Sequence, residues 1–252
     1  MVLAFTTASS APSLSLAPSD QALAQRLISA YPAFDFRIQG NSLVWKDGTA
    51  MPLQRVAAPS YMALLNKPGL LDQLDTPYPT CQPLGTPQRN IDPGRIRLEP
   101  LFLKMYGGSA AEVRRDLEAV NWFGQTLQVT RINGAAQSLR AIAAELSRQP
   151  ELRKYLTPSA GTFLWRKVAG TPRLSVHSYG AAIDLNTVFS DYWLWRGYKE
   201  GQAGIVYRNR LPLAIVTAFE KHGWAWGGRW YHFDTMHFEY RPELVLGCGG
   251  QR

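Results

Sequence analysis

Apolar residues change their period several times along this chain, and each change predicts an element. SDQALAQRLISAYP, from Ser19 to Pro32, reads as a short helix, capped by Ser19 or Asp20, with Pro32 beyond its end. FDFRIQGNSLVWKDG alternates apolar and polar positions around the turn dipeptide Gly40-Asn41, which predicts a hairpin. Residues 66–96 hold many Pro, Gly and Asp and predict an irregular surface segment. Ser109 caps a predicted amphipathic helix over SAAEVRRDLEAVNW. LQVTRI (127–132) predicts a strand, Asn133-Gly134 a turn, and AAQSLRAIAAEL a second helix. Beyond Pro158, TFLWRKV (162–168) is strand-like, and a turn at Gly170–Pro172 leads into RLSVHSYGAAIDLN. Pro212 opens the helix PLAIVTAFEKH and Gly223 closes it. The C-terminal WAWGGRWYHFDTMHFEYRPEL is aromatic and strand-like. No internal repeat interrupts this order. Helices first and a compact strand set later predict an α+β domain.

The expected organisation is a leader or disordered tail over residues 1–18, a helix, hairpin and irregular segment over 19–96, and a catalytic domain over 97–252. The opening MVLAFTTASSAPSLSLAPSD is apolar and small and carries no charge before Asp20. It lacks the basic start of an ordinary export signal, so it reads as a clipped signal or a disordered leader. No stretch of 18 apolar residues follows, and no membrane span is expected. A net charge of +8 draws the protein towards anionic polymers, the cell wall among them. The basic residues are scattered, without zinc-finger spacing or a basic helix suited to a DNA groove, so a nucleic-acid partner is not expected. The 2 cysteines, Cys81 and Cys248, lack the spacing of a cysteine metal site. They pair if the protein is exported and stay as buried thiols if it is cytosolic.

All 4 histidines, His177, His222, His232 and His237, lie late in the chain. In AAIDLN, Ile183 and Leu185 point one way and Ala182, Asp184 and Asn186 the other, which puts the Asp184 carboxylate on a strand whose opposite face is core. Gly180 allows a bend that brings His177 back beside Asp184. One imidazole and one carboxylate supply two legs of a zinc site. WYHFDTMHFEY offers the third, with His232 and His237 as alternatives; Met236 and Phe238 can anchor the strand around His237. Asp234, three residues before His237, can approach the site without itself binding metal.

SxHxxGxAxD (Ser175, His177, Gly180, Ala182, Asp184), followed about 50 residues later by DxxH in DTMHFEY, resembles the zinc D-alanyl-D-alanine carboxypeptidases, the VanY-like enzymes of peptidase family M15. The resemblance covers roughly Gly161 to Leu244, and more loosely the chain from Asp92. It implies a small antiparallel sheet carrying a zinc site and flanked by helices, of the DD-carboxypeptidase/hedgehog-like type. It also implies hydrolysis of peptidoglycan stem peptides, by a carboxypeptidase or an L-Ala-D-Glu type endopeptidase. The implied ligands of Zn2+ are His177, Asp184 and His237, and the implied general base is Asp234, where many relatives carry Glu. The family's arginine for the oxyanion or substrate carboxylate maps best to Arg166, with Arg131 as the fallback. Beside these, Ser175 and Trp230 are candidate substrate contacts. A monomer in the periplasm or outside the cell would suit such an enzyme.

Each assignment has a plainer rival. His222 sits in the last turn of a helix, where a cation meets the helix dipole. His232 is either a partner or proton donor at the site, or an ordinary core residue. Ser175 could only cap a turn, and Glu239 either orients a ligand histidine or pairs along its strand. Trp226 and Trp230 serve equally as core. HExxH is absent, which argues against thermolysin-like enzymes, and no HxH pair is present. The remaining rival is a non-catalytic wall-binding module with a residual metal site.

Overall fold

The computed structural model describes residues 16–245, 247 and 248. The expected leader therefore falls mostly outside the described residues. Helix α1, Pro18–Ala30, buries Ala24 and Leu27 on one face. Strands β1 (Arg37–Gln39) and β2 (Ser42–Val44) form the expected hairpin around Gly40-Asn41. A third strand, β3 (Ala50–Pro52), pairs with β2 and was not anticipated. Trp45, Phe36 and Phe34 pack ring against ring beneath this sheet.

Two short helices follow, α2 (Tyr61–Asn66) and α3 (Asp72–Asp75). The segment 66–96 is irregular as expected, but much of it is not at the surface. Leu70, Leu71, Leu74 and Tyr78 are in the main core. Its polar groups are satisfied across the molecule, as buried backbone requires. Tyr78 donates to Glu220 at 2.8 Å, and Arg229 donates to the carbonyls of Gln82 and Pro83 at 2.7 and 3.0 Å. Cys81 and Cys248 form a disulfide across a sequence separation of 167 residues.

Helix α4 spans Glu99–Tyr106. Ser109 then caps helix α5 as its sequence predicts, accepting from the amide of Glu112 at 3.3 Å. This helix stops at Arg114, and the rest of the expected helix is strand β4, Leu117–Trp122. Val120 and Trp122 face the core at two-residue spacing, and β4 pairs in register with β5, Gln125–Thr130. The turn between them is Phe123-Gly124, both residues at positive φ (52° and 95°), the geometry of a tight hairpin. Helix α6, Ala135–Leu146, buries Leu139, Ile142 and Leu146 against β4 and a later helix. A short helix, α7 (Arg153–Leu156), precedes the segment 162–168, which forms no strand. It makes one bridge, Lys167 to Leu174; the Leu164 amide donates to the His177 carbonyl, the Arg166 amide to Ser178 Oγ and the Thr162 hydroxyl to the Gln128 carbonyl.

The last sheet carries the site. Strand β6 is Ala182–Asp184. Helix α8, Leu213–Lys221, starts after Pro212 and ends before Gly223, as expected. Strands β7 (Trp224–Trp226) and β8 (His237–Tyr240) complete an antiparallel sheet in the order β6-β8-β7. The architecture is thus α+β, with helices and small antiparallel sheets around a core that runs from Ala24 to Val245.

Candidate metal centre and its cavity

Strand register brings the first two groups together. Asp184 on β6 lies directly opposite His237 on β8. His177 arrives from a short turn, Val176–Tyr179, that Ser175 caps by accepting from the His177 amide at 3.4 Å. The chain reverses at Gly180, whose φ is 64°. This left-handed conformation favours glycine, and a Cβ there would sit 2.5 Å from Leu117 Cδ2 and 3.2 Å from the Thr130 amide nitrogen.

The three side chains converge. His177 Nε2 lies 3.1 Å from His237 Nδ1 and 3.1 Å from Asp184 Oδ2, and His237 Nδ1 lies 2.8 Å from Asp184 Oδ1. The outer nitrogen of each ring is already committed. His177 Nδ1 meets the carbonyl of Thr162 at 2.5 Å, and His237 Nε2 meets Glu239 Oε1 at 3.0 Å. With those N–H groups donated outwards, both rings turn lone pairs towards one point beside a carboxylate. Four donors at ~2.0–2.1 Å from a tetrahedral zinc lie about 3.3 Å apart, close to the edges seen here. The donor set of two imidazoles and one carboxylate therefore fits a divalent ion of this kind.

Electrostatics point the same way. For Asp184, burial opposes ionisation, but His177 and His237 more than offset it, and its pKa falls far below the usual carboxylate range. For His237, burial disfavours the cation, yet Asp184 and Glu239 raise its pKa to about 10. The cluster attracts positive charge. Glu239 is held down to about 2 against burial by His237, Arg97 and Arg241.

Asp234 sits in the same cavity, off the cluster. Its Oδ1 is buried without a hydrogen-bond partner, and burial together with the Asp184 charge raises its pKa to about 7. The cavity encloses about 280 Å3 and is also lined by Arg166, Ser175, Trp230 and His232. Arg166 is exposed at this cavity. The fallback Arg131 is not there: it pairs with Asp116 at 2.7 Å on the surface. Trp230 donates to the Pro93 carbonyl at 2.8 Å, with its ring 5.8 Å from that of His237. Trp226 belongs to the core. His222 lies apart, 3.4 Å from Glu145 on α6.

Residues 169–240 match the family model described as D-alanyl-D-alanine carboxypeptidase. The match covers less than half of the chain and supports, for this segment, the M15 peptidase family and a peptidase of the D-alanyl-D-alanine carboxypeptidase type. No curated protein and no solved structure matches the chain. The matched segment contains Ser175, His177, Asp184, Asp234 and His237, whereas Arg166 precedes it.

Several groups that build the cavity escape a reading of sequence. Asp92 accepts from His232 Nδ1 at 2.6 Å and from the His232 amide at 3.0 Å, across 140 residues of chain. Tyr61 donates to the same carboxylate. Arg95, Arg97 and Arg173 also line the cavity. The only local signal for Arg173 was its place two residues before the SxH motif, in RLSVH.

Proposed function

We propose that this chain is a zinc-dependent peptidase that hydrolyses peptide bonds of peptidoglycan stem peptides in the cell envelope. The observation that carries the reading is the convergence of His177 Nε2, His237 Nδ1 and the Asp184 carboxylate beside the orphaned Oδ1 of Asp234. His177, Asp184 and His237 would hold the zinc. A zinc ion with three protein ligands supplies Lewis-acid activation of water near neutral pH.

The remaining work falls to the chain's own groups. Thr162 and Glu239 fix the tautomers of the two histidines. Asp234 takes a proton from the attacking water with its free oxygen and passes it to the leaving amine. Its burial keeps bulk water from competing for that proton. Arg166 faces the tetrahedral oxyanion. Trp230 and the cap at Ser175 shape the wall against which the peptide lies. The disulfide supports export, because such bonds persist in oxidising compartments.

The test is a combined measurement on purified protein: metal content by elemental analysis, and products from digested peptidoglycan by mass spectrometry. One zinc per chain with release of D-Ala or stem fragments is expected. A protein that binds zinc and peptidoglycan but cuts nothing would instead be the non-catalytic wall-binding module.

A further inference from the structure

Between β6 and α8, residues 185–212 form no strand and only two short turns of helix, Thr187–Phe189 and Trp193–Arg196. Irregular segments longer than about 12–15 residues in a compact domain usually serve binding. This one has a small core of its own. Trp193 and Ile205 pack with Tyr231 and Phe233, apart from the main core. The segment is also pinned to the residues that precede His237. The Trp193 amide donates to the Phe233 carbonyl at 3.0 Å, the Ile205 amide donates to the Tyr231 hydroxyl at 3.1 Å, and Tyr192 bridges Asp234. It is therefore held against the part of the chain that builds the cavity.

Trp195 projects from this lobe. It is 58% exposed, although an indole is among the side chains that gain most from burial. Its position is fixed all the same. Its amide donates to the Tyr192 carbonyl at 3.0 Å, and the Tyr192 ring meets its ring edge-on at 5.9 Å. On one side Trp195 and Tyr192 line the cavity of the metal centre. On the other they line a second, more open groove of about 530 Å3, whose wall also holds Asp191 and Tyr198. The two guanidinium groups of this groove both face Asp191, Arg210 at 3.0 Å and Arg196 at 3.9 Å. Arg210 donates to the carbonyls of Val188 and Ser190 as well. A buried carboxylate between the two cations works against an anionic ligand. Nor does the groove offer an extended peptide a strand edge, because the backbone of Tyr192 is already paired with Asp234.

We infer that this groove binds the saccharide part of the substrate, with Trp195 as the surface against which one sugar ring lies. This deepens the peptidoglycan reading and rests on it. A pyranose has a face of C–H groups and a rim of hydroxyl and amide groups. The face packs on an aromatic ring, and the rim suits the polar groups that Asp191, Arg196 and Tyr198 supply. The groove shares Trp195 and Tyr192 with the cavity, so a ligand that crosses Trp195 has a part in each. A stem peptide joined through its amino end to an N-acetylated sugar strand has that form. A free peptide does not.

The experiment uses the zinc-loaded full chain and three substrates with one stem sequence: the free peptide, the peptide on its N-acetylglucosaminyl-N-acetylmuramyl disaccharide, and the peptide lengthened at its amino end by residues instead of sugars. Wild type should favour the disaccharide-linked peptide over the free one by about 10-fold or more in kcat/KM, mostly through KM, as expected of a single aromatic anchor. Trp195→Ala should bring that ratio to within about 2-fold, with the loss falling on the linked substrate, and Trp195→Phe should keep part of the preference. Because Trp195 is exposed, Trp195→Ala should melt within about 2 °C of wild type. In parallel, chitotetraose, a sugar oligomer without peptide, should change the tryptophan fluorescence of wild type saturably and leave that of Trp195→Ala unchanged. Equal handling of free and linked peptide by wild type, equal slowing of both by Trp195→Ala, or an equal gain from the peptide extension overturns the saccharide assignment. If zinc-loaded wild type cleaves none of the three, the peptidase reading fails, and the fluorescence titration alone decides the groove. Saturable binding that Trp195→Ala abolishes then supports the assignment, and its absence overturns it.

Discussion

The most informative single perturbation of the fold is Arg241→Met. Arg241 is fully buried and bonds Glu243 at 2.6 Å, Glu239 at 3.1 Å and the Gly94 carbonyl at 2.7 Å. Burial opposes its charge, but Glu243 and Glu239 more than compensate and hold the guanidinium ionised. Glu243 in turn accepts from Tyr31 at 2.7 Å and Gln73 at 3.3 Å. Methionine fills much of the same space and leaves Glu243 buried without its ion-pair partner, while Glu239 keeps His237 at 3.0 Å and Arg97 at 4.0 Å. Removing one partner of such a pair costs about 3–5 kcal/mol. At roughly 2–4 °C per kcal/mol for a chain of this size, melting should fall by about 6–20 °C. The double variant Arg241→Met/Glu243→Gln removes one stranded charge, and its remaining loss should be about 1–3 kcal/mol. Calorimetric melting of the three proteins at neutral pH, with the disulfide intact, measures both steps. A single-variant loss below about 1 kcal/mol, or a double variant no more stable than the single, would refute the account of this ion network.

Four further outcomes follow from the site and its supports. His177→Ala should lose zinc and activity together, whereas His222→Ala, on the far Glu145 contact, should keep both; metal analysis beside a peptide assay decides. Asp234→Asn should keep zinc and stability, since no hydrogen bond to Oδ1 is lost, while turnover drops by about 10²–10⁴. Glu239→Gln should weaken zinc about 10–100-fold in competition with a chelator, because the His237 ring loses its carboxylate partner. Reducing the Cys81–Cys248 bond should cost about 5 kcal/mol at most from the loop it closes, read as a lower denaturant midpoint.

The parts of this molecule that sequence discloses are those whose cause is local. Helix α6 starts and ends where its pattern says, and α8 is bounded by Pro212 and Gly223. His177, Gly180 and Asp184 lie within one short stretch, so a bend and an alternation suffice to bring them together. The choice of His237 over His232 came from the family resemblance, and the strand register places it opposite Asp184. Over residues 115–122 the apolar spacing suits either period, and only the Phe123-Gly124 turn and the partner strand decide for β4. The strand expected at 162–168 has apolar residues but lacks a neighbouring edge to pair with along its length. Asp92 with His232, and Tyr31 with Glu243, are contacts over 140 and 212 residues. No local pattern encodes such pairs.

The ties between early and late chain also set the order in which this protein can be made. Tyr31, Gln73, Cys81 and Gly94 meet partners at Glu243, Cys248 and Arg241, which are translated much later. At about 5–20 residues per second, a ribosome needs roughly 8–30 s to pass from Cys81 to Cys248, and until then these early groups lack their partners. The fold cannot be completed while those partners are missing, and the chain is exposed to proteases until they emerge. Codon changes that slow translation after Arg97 should lengthen that vulnerable interval without altering the finished protein.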